Sequence, residues 1–202
     1  MRPELLEGYC KTVRHLQQTY RDKIEIHLGL EVEYYPGLLP QLLPVLRDMG
    51  IEYLLLGQHF IGDEIGQPYC GAPTGDASVL KRYCRQSMEA MNTGLFTYFA
   101  HPDLIKFVGS EALYREQMRL ICREAKSCGI PLEINMLGAW AGRNYPDIRF
   151  WELAAEEGCS VILGCDAHSP QELNNRKTEE SLTNLARELG IALLERTPLQ
   201  AF

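Results

Sequence analysis

The sequence predicts an α/β fold built on a parallel sheet, and three observations point there. Six short apolar segments alternate along the chain with amphipathic helical segments. Parallel neighbours need crossovers, and helices of this length supply them. Nothing interrupts the alternation: there is no internal repeat, low-complexity tract or linker, and 202 residues suit a single domain spanning 1–202.

Each element has its own signal. Leu5, Leu6, Tyr9, Val13, Leu16 and Tyr20 recur every three or four residues, which predicts an amphipathic helix from about Pro3 to Tyr20. Ile24, Ile26, Leu28, Leu30 and Val32 alternate with other residues, the period of a strand. A helix over Leu39–Met49, closed by Gly50, leads to the apolar run Tyr53–Leu56. The Gly- and Pro-rich stretch Ile61–Asp76 reads as an ordered loop or lid. A helix over Ala77–Met91, ending at Gly94, precedes a strand at Leu95–Ala100. Glu111–Cys128 is a helix with Ser110 as cap and Gly129 as stop, followed by a strand within Gly129–Asn135. Pro146–Glu157 is a helix ended by Gly158, and Cys159–Gly164 is a short buried strand. Ser169-Pro-Gln-Glu172 combines a capping box with proline at the first helical position, opening a helix to Gly190. Ile191–Leu194 is the last strand. Periodicity does not distinguish an open sheet from a closed one.

Composition narrows the function. Hydrophobic residues make up 46%, enough for a core, which excludes a disordered chain or a disulfide-dense mini-protein. With 20 Lys plus Arg against 27 Asp plus Glu, the net charge of -7 argues against a partner recognised by its phosphate backbone, so no nucleic acid is expected. No apolar run approaches the ~20 residues of a membrane span. The opening MRPELLEGYC lacks a signal-peptide layout, so the expected location is the cytoplasm. Cys10, Cys70, Cys84, Cys122, Cys128, Cys159 and Cys165 form no C-x-x-C pair, and are read as reduced, half-buried thiols.

The chemistry collects just past the strand ends. Glu31 ends the first strand, His59 follows the second, His101 the third, and Asp166 with His168 the fifth. In α/β architectures the C-terminal edge of the sheet is where sites are built. A lone histidine there is more often structural, Asp-Ala-His could be a capping loop, and Glu31 a solvated strand end; four loops acting together outweigh those readings. Imidazoles with carboxylates form a nitrogen/oxygen set suited to Zn, Mn or Fe, and such ions can clamp a phosphoryl group. His15, mid-helix, reads as solvated, and His27 as a minor candidate. Trp140 and the Ile61–Asp76 loop are more simply rim packing than a substrate pocket.

Gly29-Leu-Glu-Val-Glu-Tyr34, Leu55-Leu-Gly-Gln-His59, Ala100-His-Pro-Asp103, Leu132-Glu-Ile-Asn135 with Gly138, Tyr145-Pro146 and Gly164-Cys-Asp-Ala-His168 occur in this order. In them the chain resembles the PHP (polymerase and histidinol phosphatase) family, specifically its histidinol-phosphatase branch, from about Leu5 to Pro198. The resemblance implies a distorted (β/α)7-type barrel with up to three divalent metal ions at its C-terminal rim, at least one of them expected here. It implies hydrolysis of L-histidinol phosphate, a small phosphomonoester, in histidine biosynthesis. Carried over, Glu31 is the bridging carboxylate, His59 and His101 complete one metal with it, Asp166 belongs to a second and His168 to a third. Arg143 is the candidate phosphate clamp, against the alternative of a solvated loop arginine. Cys165, where the family often has Ser, is read as packing beside the site.

The chain departs from the family in one respect. Family members carry His-x-His on a first strand and a further His after the second, and this sequence has neither. The barrel is therefore expected to be incomplete at the N-terminus, its first strands absent. A fragment of a longer product is the reading adopted, ahead of completion by a partner or loss of catalysis. An open edge also favours self-association. Two alternatives to the histidinol phosphate reading stand: a PHP phosphoesterase acting on a nucleotide, sugar phosphate or phosphotyrosine, and a non-catalytic chain with one residual metal.

Overall fold

The structure, a computed structural model, describes residues 3–62 and 68–202. Its strands are β1 (Gly29–Val32), β2 (Tyr53–Gly57), β3 (Phe96–Ala100), β4 (Leu132–Asn135), β5 (Val161–Gly164) and β6 (Leu193–Leu194). Its helices are α1 (Pro3–Tyr20), α2 (Leu39–Asp48), α3 (Ala77–Met91), α4 (Glu111–Cys128), α5 (Met136–Trp140), α6 (Ile148–Glu157), α7 (Pro170–Leu173) and α8 (Arg176–Glu188). All strand pairs are parallel and the sheet order is β1-β2-β3-β4-β5-β6, so each crossover joins immediate neighbours.

Strand parity divides the sheet into two faces. Leu54, Leu56, Phe99, Leu132, Ile134 and Val161 are buried in a cluster shared with Leu80, Tyr83, Met118, Ile121, Phe150 and Trp151 of α3, α4 and α6. The opposite parity carries Glu31, Tyr53, Leu55, Tyr98 and Ile162, which are only partly buried or exposed. That face also carries Glu133 and Asn135, and both are buried. A register shift lies between β2 and β3, where Leu54 pairs with Phe96 but Leu56 with Phe99. Irregularities of this kind re-aim the residues that follow them, here the loop starting at His101.

Caps set several boundaries. Asp76 accepts from Ser78 N–H at 2.7 Å to open α3, and Ser110 caps α4 through Leu113 N–H at 3.4 Å. Gly129 (φ 68°) and Gly158 (φ 66°) end α4 and α6 in the left-handed region, which glycine enters without strain.

The sequence reading differs from the structure in four places. The expected strand from Ile24 is ordered as a strand only from Gly29, because β2 offers a partner no earlier than Tyr53; Leu28 is held instead by its N–H on the Glu52 carboxylate at 2.9 Å. The helix expected at Pro146 starts at Ile148, since Asp147 caps it by accepting from Arg149 N–H. The helix expected from Ser169 to Gly190 is two, because Asn175 turns its side chain onto Thr178 N–H and caps α8 anew. The short α5 was not expected at all; Asn135 caps it through Gly138 N–H at 2.8 Å. Part of the expected loop Ile61–Asp76 lies outside the described residues; the rest forms bridges Phe60 to Tyr69 and Thr74 to Phe107.

Candidate metal centre

The C-terminal ends of β1, β2 and β3 bring Glu31, His59 and His101 together. One ligand atom from each lies within 4.8 Å of the others. Glu31 Oε1 is 3.6 Å from His59 Nε2 and 3.3 Å from His101 Nε2, and the two rings meet edge-on at 4.8 Å between centroids. Two imidazole nitrogens and a carboxylate oxygen at this spacing fit a divalent ion such as zinc.

The sequence places these atoms through identifiable local choices. Glu31 pairs in register with Leu55, so its side chain leans over Gly57, two residues further along β2. A Cβ on Gly57 would stand 2.0 Å from Glu31 Oε1, so glycine there makes room for the carboxylate. His59 is oriented from behind by Glu33. The Glu33 carboxylate accepts from His59 Nδ1 at 2.7 Å, from the His59 N–H at 3.0 Å and from the Gln58 amide at 3.2 Å. A carboxylate can only accept, so Nδ1 donates to Glu33 and leaves Nε2 directed at Glu31. His101 is 2% exposed and its φ is 35°, a left-handed conformation that non-glycine residues seldom adopt. Its Nδ1 is buried without a hydrogen-bond partner.

Electrostatics follow the geometry. Burial pushes the Glu31 carboxyl up, but the His101 hydrogen bond and the surrounding imidazoles outweigh it and leave its pKa below the usual range. For His101, burial pulls the pKa down, and the Glu31 hydrogen bond and charge overcome it, so the imidazole is raised. Both directions describe a carboxylate and an imidazole that share a proton between Glu31 and His101 Nε2, a place that a divalent cation can take.

The other sequence candidates lie around this group without joining it. Asp166 follows β5 with φ 51°, and its Oδ2 accepts from Asn135 Nδ2 at 3.1 Å. His168 is 69% exposed, with Nδ1 2.9 Å from the Asp166 carbonyl oxygen. Arg143 donates to the Tyr145 hydroxyl at 2.6 Å, and the Tyr145 ring lies 5.5 Å from the His101 ring. Gly138 lets that ring close in, since a Cβ there would meet it at 2.2 Å. Cys165 Sγ faces the Glu172 carbonyl at 3.6 Å, and burial raises its thiol pKa, the opposite of an activated nucleophile. Trp140 is 53% exposed. His27 pairs with Glu25 and Glu52 away from the cluster, and His15 is exposed.

Three acidic residues near the site went unassigned in the sequence. Glu33 shares strand parity with Glu31, a Glu-x-Glu signal that could have found it. Asp103 is buried and accepts from Asp147 N–H at 2.6 Å and Trp151 Nε1 at 2.9 Å, tying the loop after β3 to α6; burial raises its pKa to about 7. Glu133 is 2% exposed and pushed up to about 7, chiefly by burial.

Fold and site together define a parallel α/β protein with a Glu/His/His metal-binding group at the C-terminal edge of its sheet. No family model matches the chain. It is 26% identical over 189 residues to a probable histidinol-phosphatase of Deinococcus radiodurans, covering 87% of this chain and 70% of that protein. In fold it is similar to the crystal structure of a histidinol phosphate phosphatase from Lactococcus lactis subsp. lactis, complexed with zinc, L-histidinol and phosphate. That match has a TM-score of 0.70 and 20% identity, and covers 94% of this chain and 76% of the other. The resemblance to histidinol-phosphatases, read from the motifs, is borne out by the Deinococcus relative, and the Lactococcus structure matches in fold.

Proposed function

We propose that this chain carries out the metal-dependent hydrolysis of L-histidinol phosphate to L-histidinol and phosphate. The observation that carries the reading is the Glu31/His59/His101 group, gathered from three successive strand ends on the edge where α/β proteins build their sites. The Deinococcus relative's name and the ligands of the Lactococcus structure support the choice of substrate.

A divalent ion bound there supplies Lewis acidity toward a phosphoryl oxygen and neutralises charge developing on it. The chain's own residues do the rest. Glu31 would be the carboxylate shared between ions, and His59 and His101 would complete the first ligand set with it. Asp166 and His168, on the loop after β5, would hold further ions, up to three in all. Arg143 clamps the phosphate, since Tyr145 tethers its guanidinium beside the ring that packs on His101. The fold that goes with this reading is a distorted (β/α)7-type barrel, of which the described residues form six strands, in a single domain over 1–202. Strand order in chain sequence supports the barrel wall. A buried cluster running from Leu6 to Ile191 supports the single domain. The outer edges of β1 and β6 pair with no further strand among the described residues, which favours self-association.

The test is phosphate release with Zn or Mn supplied, on L-histidinol phosphate and on a generic aryl phosphate. Higher kcat/KM on histidinol phosphate, abolished by chelator, is expected. Equal or better turnover of the aryl ester would favour another phosphomonoester, and no metal-dependent turnover of either would contradict the reading.

A further inference from the structure

The segment Leu132-Glu-Ile-Asn135 on β4 has no part in the ligand set above, yet it places two polar side chains in the interior. Glu133 is 2% exposed and Asn135 is 1% exposed. Glu133 Oε2 accepts the His101 backbone N–H at 3.1 Å and the Asn135 amide at 3.0 Å. The same Asn135 nitrogen donates to Asp166 Oδ2 at 3.1 Å, while its Oδ1 caps α5. One buried pair thus spans from the loop after β3 to the loop after β5.

The ends of that span share a property. Among the described residues, His101 and Asp166 are the non-glycine positions with positive φ. Such a conformation is strained and persists only where the surroundings over-determine it. Glu133 and Asn135 grip one of these residues each, His101 by its backbone and Asp166 by its side chain.

Burying a carboxylate is expensive, and an apolar residue would fill a core strand at less expense. The sheet also makes room for it. Glu133 pairs in register with Ile162, and a Cβ on Gly164, two residues on, would stand 1.7 Å from Glu133 Oε1. Glu31 over Gly57 repeats the same relation three strands away. His101 therefore lies between two carboxylates delivered in the same way, Glu31 to its Nε2 and Glu133 to its backbone N–H.

We infer that Glu133 is a positioning residue which, through the His101 backbone and Asn135, sets the geometry of the metal-binding group and of Asp166 together. This rests on the metal reading proposed above. Glu133 does not itself ligate; it fixes where His101 Nε2 and the Asp166 carboxylate stand.

The test is Glu133→Gln, which keeps the size but turns an N–H₂ toward a neighbouring donor. Asn135→Asp is the second variant: it keeps the acceptor that caps α5 and replaces the donor shared by Glu133 and Asp166. Zn²⁺ affinity is measured by calorimetric titration, the Co²⁺-loaded visible spectrum reports ligand geometry, and the metal-free melting temperature reports folding. Zn²⁺ binding about 10–100-fold weaker, with an altered Co²⁺ spectrum and a metal-free melting temperature close to the parent's, is expected of both variants. Unchanged affinity and spectrum in a folded variant would overturn the positioning role, as would a lowered melting temperature with metal binding intact. If Glu133→Gln does not fold, the Asn135→Asp result decides by the same criteria. A parent chain that binds no Zn²⁺ would overturn the metal reading itself, an outcome distinct from unaltered binding in the variants.

Discussion

At the residue scale the site depends on what two glycines leave out. Gly57 and Gly164 are apolar-strand residues whose missing Cβ atoms are replaced by neighbouring carboxylates. Gly57→Ala is expected to displace Glu31 and weaken divalent-ion binding by about tenfold or more, measured by titration; unchanged binding would mean that Glu31 is not a ligand. The grouping of Glu31, His59 and His101 was legible in the sequence because each stands at a strand end on one edge of the sheet, where a polar side chain has few structural duties. Glu33 and Glu133 were not. Their work is done through hydrogen bonds to a neighbour's ring or backbone, and no spacing rule records which neighbour that is. The motif around Glu133 was visible, but its burial and its grip on His101 come only from the pairing of β3, β4 and β5.

At the scale of elements, helix ends were more readable than strand starts. Ser110 and Gly129 bound α4 as expected, because capping is local chemistry of a few residues. Ser110→Ala should lower unfolding free energy by about 1 kcal/mol, measured by denaturant titration, with metal affinity unaltered because the Ser110 side chain bonds the Leu113 N–H and none of Glu31, His59 and His101. A loss of metal binding would show that α4 is coupled to it. β1 was drawn too long, since alternation at Ile24–Leu28 reports what the residues could do while the length of β2 decides where pairing begins. The α7/α8 break was missed for a comparable reason: Asn175 can continue a helix or cap one, and its bond to Thr178 N–H selects the cap. One pH effect belongs here. Burial pushes the Glu52 carboxyl up, but bonds from His27, the Leu28 N–H and Gln17 outweigh it, so its pKa lies below normal. The stability it adds is present above the ordinary Glu range and lost as pH falls through the lowered value. Acid titration of Glu52→Gln should lack that component; an unaltered acid limb would contradict it.

For the whole molecule, the sequence indicated parallel β/α units but not the strand order, which depends on contacts far apart in the chain. The sheet found, with neighbours in chain order and one face less covered than the other, ties the site to the protein's stability. Ligands converge from β1, β2 and β3, so an ion that binds the folded chain and not the unfolded one adds about 2.7 kcal/mol at a hundredfold excess over Kd. At ~2–4 °C per kcal/mol for a chain of this length, melting should rise by roughly 5–10 °C on loading and fall back with chelator. No helix among the described residues is long and apolar enough to cross a membrane.

The measurement that bears most directly on the central claim is metal content per chain, by elemental mass spectrometry on protein purified without added metal or chelator, beside the Glu31→Gln variant. The account predicts at least one divalent ion per chain in the parent and its loss in the variant. A parent chain free of metal, or a variant that keeps its full complement, would contradict it.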